Sequence, residues 1–198
     1  RKEHEQAMHH QERALALNPN DDLIVVQQGE MLTWIGEPDE GISWILKAMR
    51  LNPYHPERFW NHLGRAYFVA RRYGDAIGAF RRITAPDQFH FAFMAAIEAK
   101  LGNLGTAAQY VREVLARDSG FSSTAYLKTL HYKRPEDEEH HLDALLAAGL
   151  PKGAAIALVG LLIAVMGNAT AYPGVIDIYD VNEDCRNPQL QSSLPVGL

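Results

Sequence analysis

Apolar and polar positions follow a helical period along most of this chain, and proline and asparagine interrupt the period at intervals. The pattern over residues 59–80 predicts two short helices folded back on each other. Gly64 and Ala76 are small enough to let the two helices approach, and Tyr67 and Phe80 are large enough to fill the remaining space. Related patterns lie on both sides of this segment. Most of the chain is therefore predicted to be one unit stacked several times.

Prolines set the length of the unit. Ala14 to Pro19 and Ala48 to Pro53 have the same spacing, and the two prolines are about 34 residues apart, the period of a helix–turn–helix repeat. Proline cannot continue a helix because it lacks an N–H group and its ring clashes with the preceding turn. The residue before proline is also disfavoured in a helix. The two Asn–Pro pairs are therefore predicted to end helices.

Small, large and proline positions recur in phase through four units. They are Ala7, Gln11, Ala14 and Pro19 in a truncated first unit; Gly29, Gly41, Ile45, Ala48 and Pro53 in the second; Gly64, Tyr67, Ala76, Phe80 and Ile83 in the third; and Ala95, Gly102, Ala107, Val111 and Val114 in the fourth. This pattern resembles the tetratricopeptide repeat (TPR) and covers about residues 1–118. The resemblance implies an all-α fold, a right-handed superhelical array of antiparallel helix pairs.

The repeat fades after Asp118, and residues 119–151 are predicted to be capping helices. One helix is predicted over residues 122–132. A second opens at Pro135, carries four acidic residues in its first turns and ends at Gly149, a natural C-cap. Residues 132–151 also resemble the end of the repeat region behind bacterial class III adenylate/guanylate cyclase domains. That resemblance implies a signalling protein with its catalytic part upstream.

The last part of the chain changes character. Residues 152–171 are predicted to form an apolar helix, and residues 153–167 contain no charged or strongly polar side chain. A bilayer-spanning helix needs about 20 apolar residues, so both a packed helix and a membrane anchor stay open. Residues 172–198 are predicted to be mostly irregular, with a short strand over residues 175–179.

Composition narrows the function classes. The net charge of -5 argues against a general nucleic-acid binder, because such proteins neutralise phosphates with an excess of basic residues. The chain contains one cysteine, Cys185, so no disulfide can form within it. This is typical of a reducing compartment, and a cytoplasmic location is predicted, with membrane contact only through residues 153–171.

The sequence shows no convincing catalytic, cofactor or metal site. His9-His10 and His140-His141 are adjacent pairs, so their members diverge around a helix, and solvated polar faces are predicted for them. The acidic pairs and runs each lie at a predicted helix start, where carboxylates interact with unpaired N–H groups. We therefore predict a protein that is not an enzyme and needs no cofactor.

In the TPR family the first helices of successive units line a concave groove that takes an extended peptide or a partner helix. In the phase found here, the predicted partner-binding positions are Glu30, Thr33, Trp34, Asn61, Arg65, Phe68 and Lys100. The basic residues among them can hold a carboxylate, and Trp34 and Phe68 can act as apolar anchors. In an alternative interpretation, these two aromatic side chains pack inside the array.

The predicted function is a protein-interaction scaffold that binds a protein or peptide in this groove and is part of a bacterial signalling protein. One alternative is a self-association module in which residues 153–167 cover a second subunit. The other is the regulatory C-terminal region of a nucleotide cyclase.

Overall fold

The structure, a computed structural model, describes residues 2–153, with side chains from His4 onward. The regular secondary structure of this part of the chain is entirely helical. Its helices are α1 (Lys2–Leu17), α2 (Asp22–Ile35), α3 (Pro38–Leu51), α4 (Arg58–Val69), α5 (Tyr73–Phe80), α6 (Gln88–Lys100), α7 (Leu104–Arg117), α8 (Ser123–Leu127) and α9 (Pro135–Ala148). The predicted apolar helix 152–171 lies almost wholly outside the described residues. The predicted tail 172–198 and Cys185 lie entirely outside them.

Three helix pairs, α2–α3, α4–α5 and α6–α7, pack as hairpins, and α1 packs against α2. The first helices of the pairs also contact one another, α2 with α4 and α4 with α6. We call α2, α4 and α6 the first-helix row. The predicted all-α array of antiparallel helix pairs is confirmed.

The helix ends follow the local chemistry of the sequence. α1 ends at Leu17 and α3 at Leu51, each one residue before an Asn–Pro pair. Asp21 caps α2, because its carboxylate accepts hydrogen bonds from the backbone N–H groups of Leu23 and Ile24. Gly36 ends α2 in the left-handed conformation, with φ at 97°.

Small residues set the distance between the helices of a pair. A Cβ atom built on Gly29 would lie 2.6 Å from the carbonyl oxygen of Gly41, so the backbones of α2 and α3 are in direct contact. A Cβ on Gly64 would lie 2.7 Å from the ring of Phe80, which fills the space between α4 and α5. These contacts agree with the small-residue positions on which the repeat phase was based.

The capping segment differs from its prediction. α8 ends at Leu127, five residues before the predicted end at residue 132. The chain then crosses to α2, where the backbone N–H of Lys133 donates to the carbonyl of Trp34 at 2.9 Å. In place of further helix, the backbone N–H groups of Thr129 and Leu130 donate to the carbonyls of Tyr126 and Leu127 in turns, and the bond from Lys133 holds the chain against α2. α9 follows, packs mainly against α6, and ends as predicted at Gly149, with φ at 102°.

In the described part of the chain, every helix is too short or too polar to cross a bilayer. The predicted membrane-associated segment, residues 153–171, falls almost wholly beyond that part.

Candidate functional site

Residues 131–148 cover much of the inner face of the first-helix row. We call them the covering segment. Besides the bond from Lys133, the guanidinium of Arg134 donates to the carbonyl oxygen of Gly36 at 3.0 Å. The ring of Tyr132 packs edge-on against the ring of Trp34, with centroids 4.9 Å apart. The chain thus places its own aromatic and basic side chains on the surface predicted to receive a partner.

An aromatic cluster joins α9 to the row, and His141 is at its centre. This side chain is fully buried, with its ring 4.5 Å from that of Phe93 and 4.8 Å from that of Phe68. Nδ1 of His141 lies 3.0 Å from the hydroxyl of Tyr132. Burial holds the pKa of His141 well below its ordinary value, so the ring is neutral and acts as part of the core.

His140 is partly buried beside α5. Its Nε2 atom lies 3.0 Å from the hydroxyl of Tyr73. Burial first, and then the positive charges of Arg71 and Lys100, lower the pKa of His140 to about 4. The prediction of a solvated face for His140 and His141 was wrong. Adjacent positions on α9 both face protein, because the helix lies against α6 and also reaches side chains of α4 and α5.

We expect the protein to lose stability as the pH falls from about 6.5 towards 4. The pKa of His140 is about 4 in the folded protein and about 6.5 in the unfolded chain. As the pH falls from 6.5 to 4, the unfolded state therefore binds a proton that the folded state does not, and the free energy of unfolding decreases. The loss is about 1–2 kcal/mol once solvent screening is allowed for. Urea unfolding at several pH values, compared with His140→Gln, measures it. Identical pH dependence in the two proteins would contradict this assignment.

A cluster of ion pairs connects the beginning of α9 to the turn between α4 and α5. The carboxylate of Asp137 is almost completely buried and lies 2.9 Å from the guanidinium of Arg71 and 3.3 Å from that of Arg134. Arg71 also donates to the carbonyl of Val69 at 2.9 Å. Capping therefore does not fully explain the acidic start of α9, because one of its carboxylates binds a residue of the α4–α5 turn.

Three of the predicted groove residues, Glu30, Trp34 and Arg65, lie together. Glu30 of α2 is 3.3 Å from His62 and 3.9 Å from Arg65 of α4. Burial opposes ionisation of Glu30, but the nearby imidazole of His62 and guanidinium of Arg65 outweigh it and lower the pKa of Glu30. The guanidinium of Arg65 also lies over the rings of Trp34 and Phe93, 5.8 and 5.5 Å from their centroids.

The other predicted residues have different surroundings. Thr33 bonds to the carbonyl of Gly29 at 2.8 Å and faces Gly41 of α3. Phe68 is fully buried, with α9 on one side of its ring. Asn61 is partly buried on α4, and Lys100 is exposed at the end of α6. Binding of a partner by these residues stays a prediction.

One part of the inner face is uncovered. A cavity of about 420 Å³ opens between α1, α2 and His131, and it is lined by His4, Ala7, Glu30, Met31, Trp34, Ile35 and His131. We call it the α1–α2 cavity. Sequence analysis identified two of its residues, Glu30 and Trp34, and missed Met31 and Ile35. The signal for these two residues was available, because Met31 lies three residues before Trp34 and four before Ile35, so the three side chains share one side of α2.

Among the residues described, no cluster of three or more His, Cys, Asp or Glu side chains could hold a metal ion.

The paired helices, the contacting first helices and the small-residue contacts between partners define a TPR-like helical-repeat fold. Solved structures that share this fold include two of MamA. One aligns at 19% identity and a TM-score of 0.53 over 73% of this chain and 86% of its own. The other aligns at 17% identity and a TM-score of 0.53 over 89% and 90%. At this identity the likeness concerns the fold alone. The sequence matches no protein-family model and no curated protein.

Proposed function

We propose that this chain is a non-enzymatic protein-interaction module that binds another protein at the α1–α2 cavity, the uncovered end of the inner face. The observation that carries the proposal is the cavity itself. It is lined by the partly buried side chains of Met31 and Ile35 and by the almost fully buried Trp34, next to the ionised Glu30. An apolar patch bordered by charge is typical of a protein-binding surface.

The surroundings of the cavity support binding by a preorganised surface. Trp34 is almost fully buried and is held between Tyr132 and Arg65. Glu30 is fixed by His62 and Arg65. Side chains already fixed in this way lose little conformational entropy when a partner binds. Met31 and Ile35 are only partly buried and are free to contact the partner.

The proposed binding surface is narrower than the groove predicted from the sequence. Glu30, Trp34 and Arg65 belong to the cavity or to its immediate support. Phe68 lies beneath the covering segment and takes part only if that segment moves. A signalling role next to a nucleotide cyclase is a finer proposal, supported by the resemblance of residues 132–151. Self-association through residues 153–167 is the alternative, supported by the apolar sequence of that run.

We expect Met31→Glu to abolish capture of the partner, because a carboxylate would have to be desolvated against an apolar surface and beside Glu30. The measurement is affinity capture from the source cells with the full chain, quantified by mass spectrometry. Leu104→Glu is the matched control, since it places the same charge on a side chain that is 59% exposed at the far end of the array. Equal capture by wild type and Met31→Glu would refute binding at the cavity.

A further inference from the structure

We infer that the partner presents an amphipathic helix with basic residues, and that this helix lies in the α1–α2 cavity in the place of a first helix. The inference rests on the proposed function and adds to it the conformation and charge of the ligand. Three independent features of the described residues support it: the repeat register of α1, the lining of the cavity, and the charges at its edge.

The repeat register shows which surface of α1 meets no first helix among the described residues. Ala7 in α1 is equivalent to Gly41 in α3, Ala76 in α5 and Ala107 in α7. The three equivalents are buried, whereas Ala7 is exposed and lines the cavity. Gly41 shows what this position does in a complete pair, since its backbone contacts that of Gly29 in the first helix. Ala7 is therefore suited to receive the backbone of a helix.

The cavity continues the first-helix row. α2 contacts α4, and α4 contacts α6, so a helix lying on Met31 and Ile35 of α2 would extend an existing series of contacts. A helix satisfies its own backbone hydrogen bonds. An extended peptide would find no strand edge in the described part of the chain, so side chains or water would have to satisfy its backbone groups. The lining therefore favours a helical ligand over an extended one.

The charge around the cavity determines the polar face of the ligand. A second cavity adjoins the first along α1, sharing His4 and Ile35. The carboxylates of Glu5 and Glu12 line the second cavity together with the ammonium group of Lys133, and Glu30, which Arg65 and His62 already contact, lines the first. A ligand helix with Lys or Arg on either side of its apolar stripe complements this negative edge, and its binding should weaken as salt increases.

The test uses a synthetic peptide of this chain's own residues 58–70, labelled with fluorescein. These residues include α4, a basic first helix that packs against α5 and α6, the equivalents of α1 and α2. Fluorescence anisotropy with the full chain measures its Kd. We expect Ala7→Tyr to raise the Kd at least about tenfold by filling the cavity. Ala16→Tyr, on an exposed alanine of the same helix, should change it by less than about twofold.

Two variant peptides test conformation and charge. A peptide with Ala66→Pro cannot form the helix and should bind far more weakly. A peptide carrying both Arg58→Glu and Arg65→Glu should bind weakly at low salt. Equal binding of the proline peptide, absence of binding by the unmodified peptide, or an unchanged Kd with Ala7→Tyr would each overturn the inference. The proposed function would stand if Met31→Glu still abolished capture, and it would fail separately if capture persisted.

Light scattering distinguishes a foreign helix from a second copy of this chain. We expect the molar mass of wild type and Ala7→Tyr to be the same. A wild-type dimer that Ala7→Tyr dissociates would identify the occupant as a second copy and would overturn the assignment to another protein.

Discussion

Replacement of Gly29 by alanine should lower the free energy of unfolding by about 3 kcal/mol. The added Cβ would lie 2.6 Å from the carbonyl oxygen of Gly41 and 2.6 Å from Cγ1 of Ile45. The backbone oxygen cannot move away as the end of a flexible side chain can, so α2 and α3 must separate. Their separation would also loosen the packing around Ile45, which is fully buried. Urea unfolding followed by circular dichroism measures the loss.

Gly78→Ala is the matched control, because Gly78 also lies within a helix but a Cβ atom added to it would have no atom within 4 Å. We expect this change to stabilise α5 by about 0.5–1 kcal/mol, since alanine restricts the unfolded chain more than glycine does. Equal effects of the two substitutions would show that α2 and α3 do not touch at Gly29, and the repeat register would then be wrong.

The register could be predicted from the sequence because it depends on local and periodic signals. Asn–Pro pairs end helices wherever they occur, and the carboxylate of Asp21 caps the next helix through its own neighbours in the chain. Small residues such as Gly29 and Gly64 recur at the same place in successive pairs. Each signal can be read within a few residues, and the repetition confirms the reading several times over.

The covering segment could not be predicted in this way. Asp137 pairs with Arg71, and Arg134 bonds to the carbonyl of Gly36. The partners are 66 and 98 residues apart in the chain. Nothing near His141 distinguishes a buried neutral histidine from an exposed one, because its apolar surroundings come from α4, α6 and the α8–α9 connection. The candidate site was therefore found only in part. The sequence placed the predicted binding residues on the first helices of the pairs, but it did not indicate which part of that row the chain itself covers.

The covering segment also changes how the array should unfold. In simple repeat arrays each unit contacts only its neighbours, so distant units can unfold separately. Here residues 131–148 contact α2, α4 and α6 together, through Trp34, Phe68 and Phe93. Loss of the segment removes contacts from all three pairs at once. We therefore regard α2–α9 as one cooperative unit.

Phe68→Ala should lower the free energy of unfolding by about 4 kcal/mol. Phe68 is fully buried, and its ring packs 5.6 Å from that of Phe93 and 4.8 Å from that of His141. The cavity left by the substitution would lie between α4, α6 and α9. Unfolding should remain a single transition, with the same midpoint by tryptophan fluorescence and by circular dichroism.

Phe89→Ala provides the comparison, because Phe89 is also a phenylalanine of the first-helix row but is 38% exposed. It stacks on Tyr126 at 5.3 Å, so its loss should cost only about 1 kcal/mol. A similarly small effect of Phe68→Ala would mean that α9 does not cover Phe68 in solution. The aromatic ring would then be accessible, and the wider groove predicted from the sequence would be open to a partner. A large loss instead assigns Phe68 to the core and leaves the α1–α2 cavity as the accessible part of the inner face.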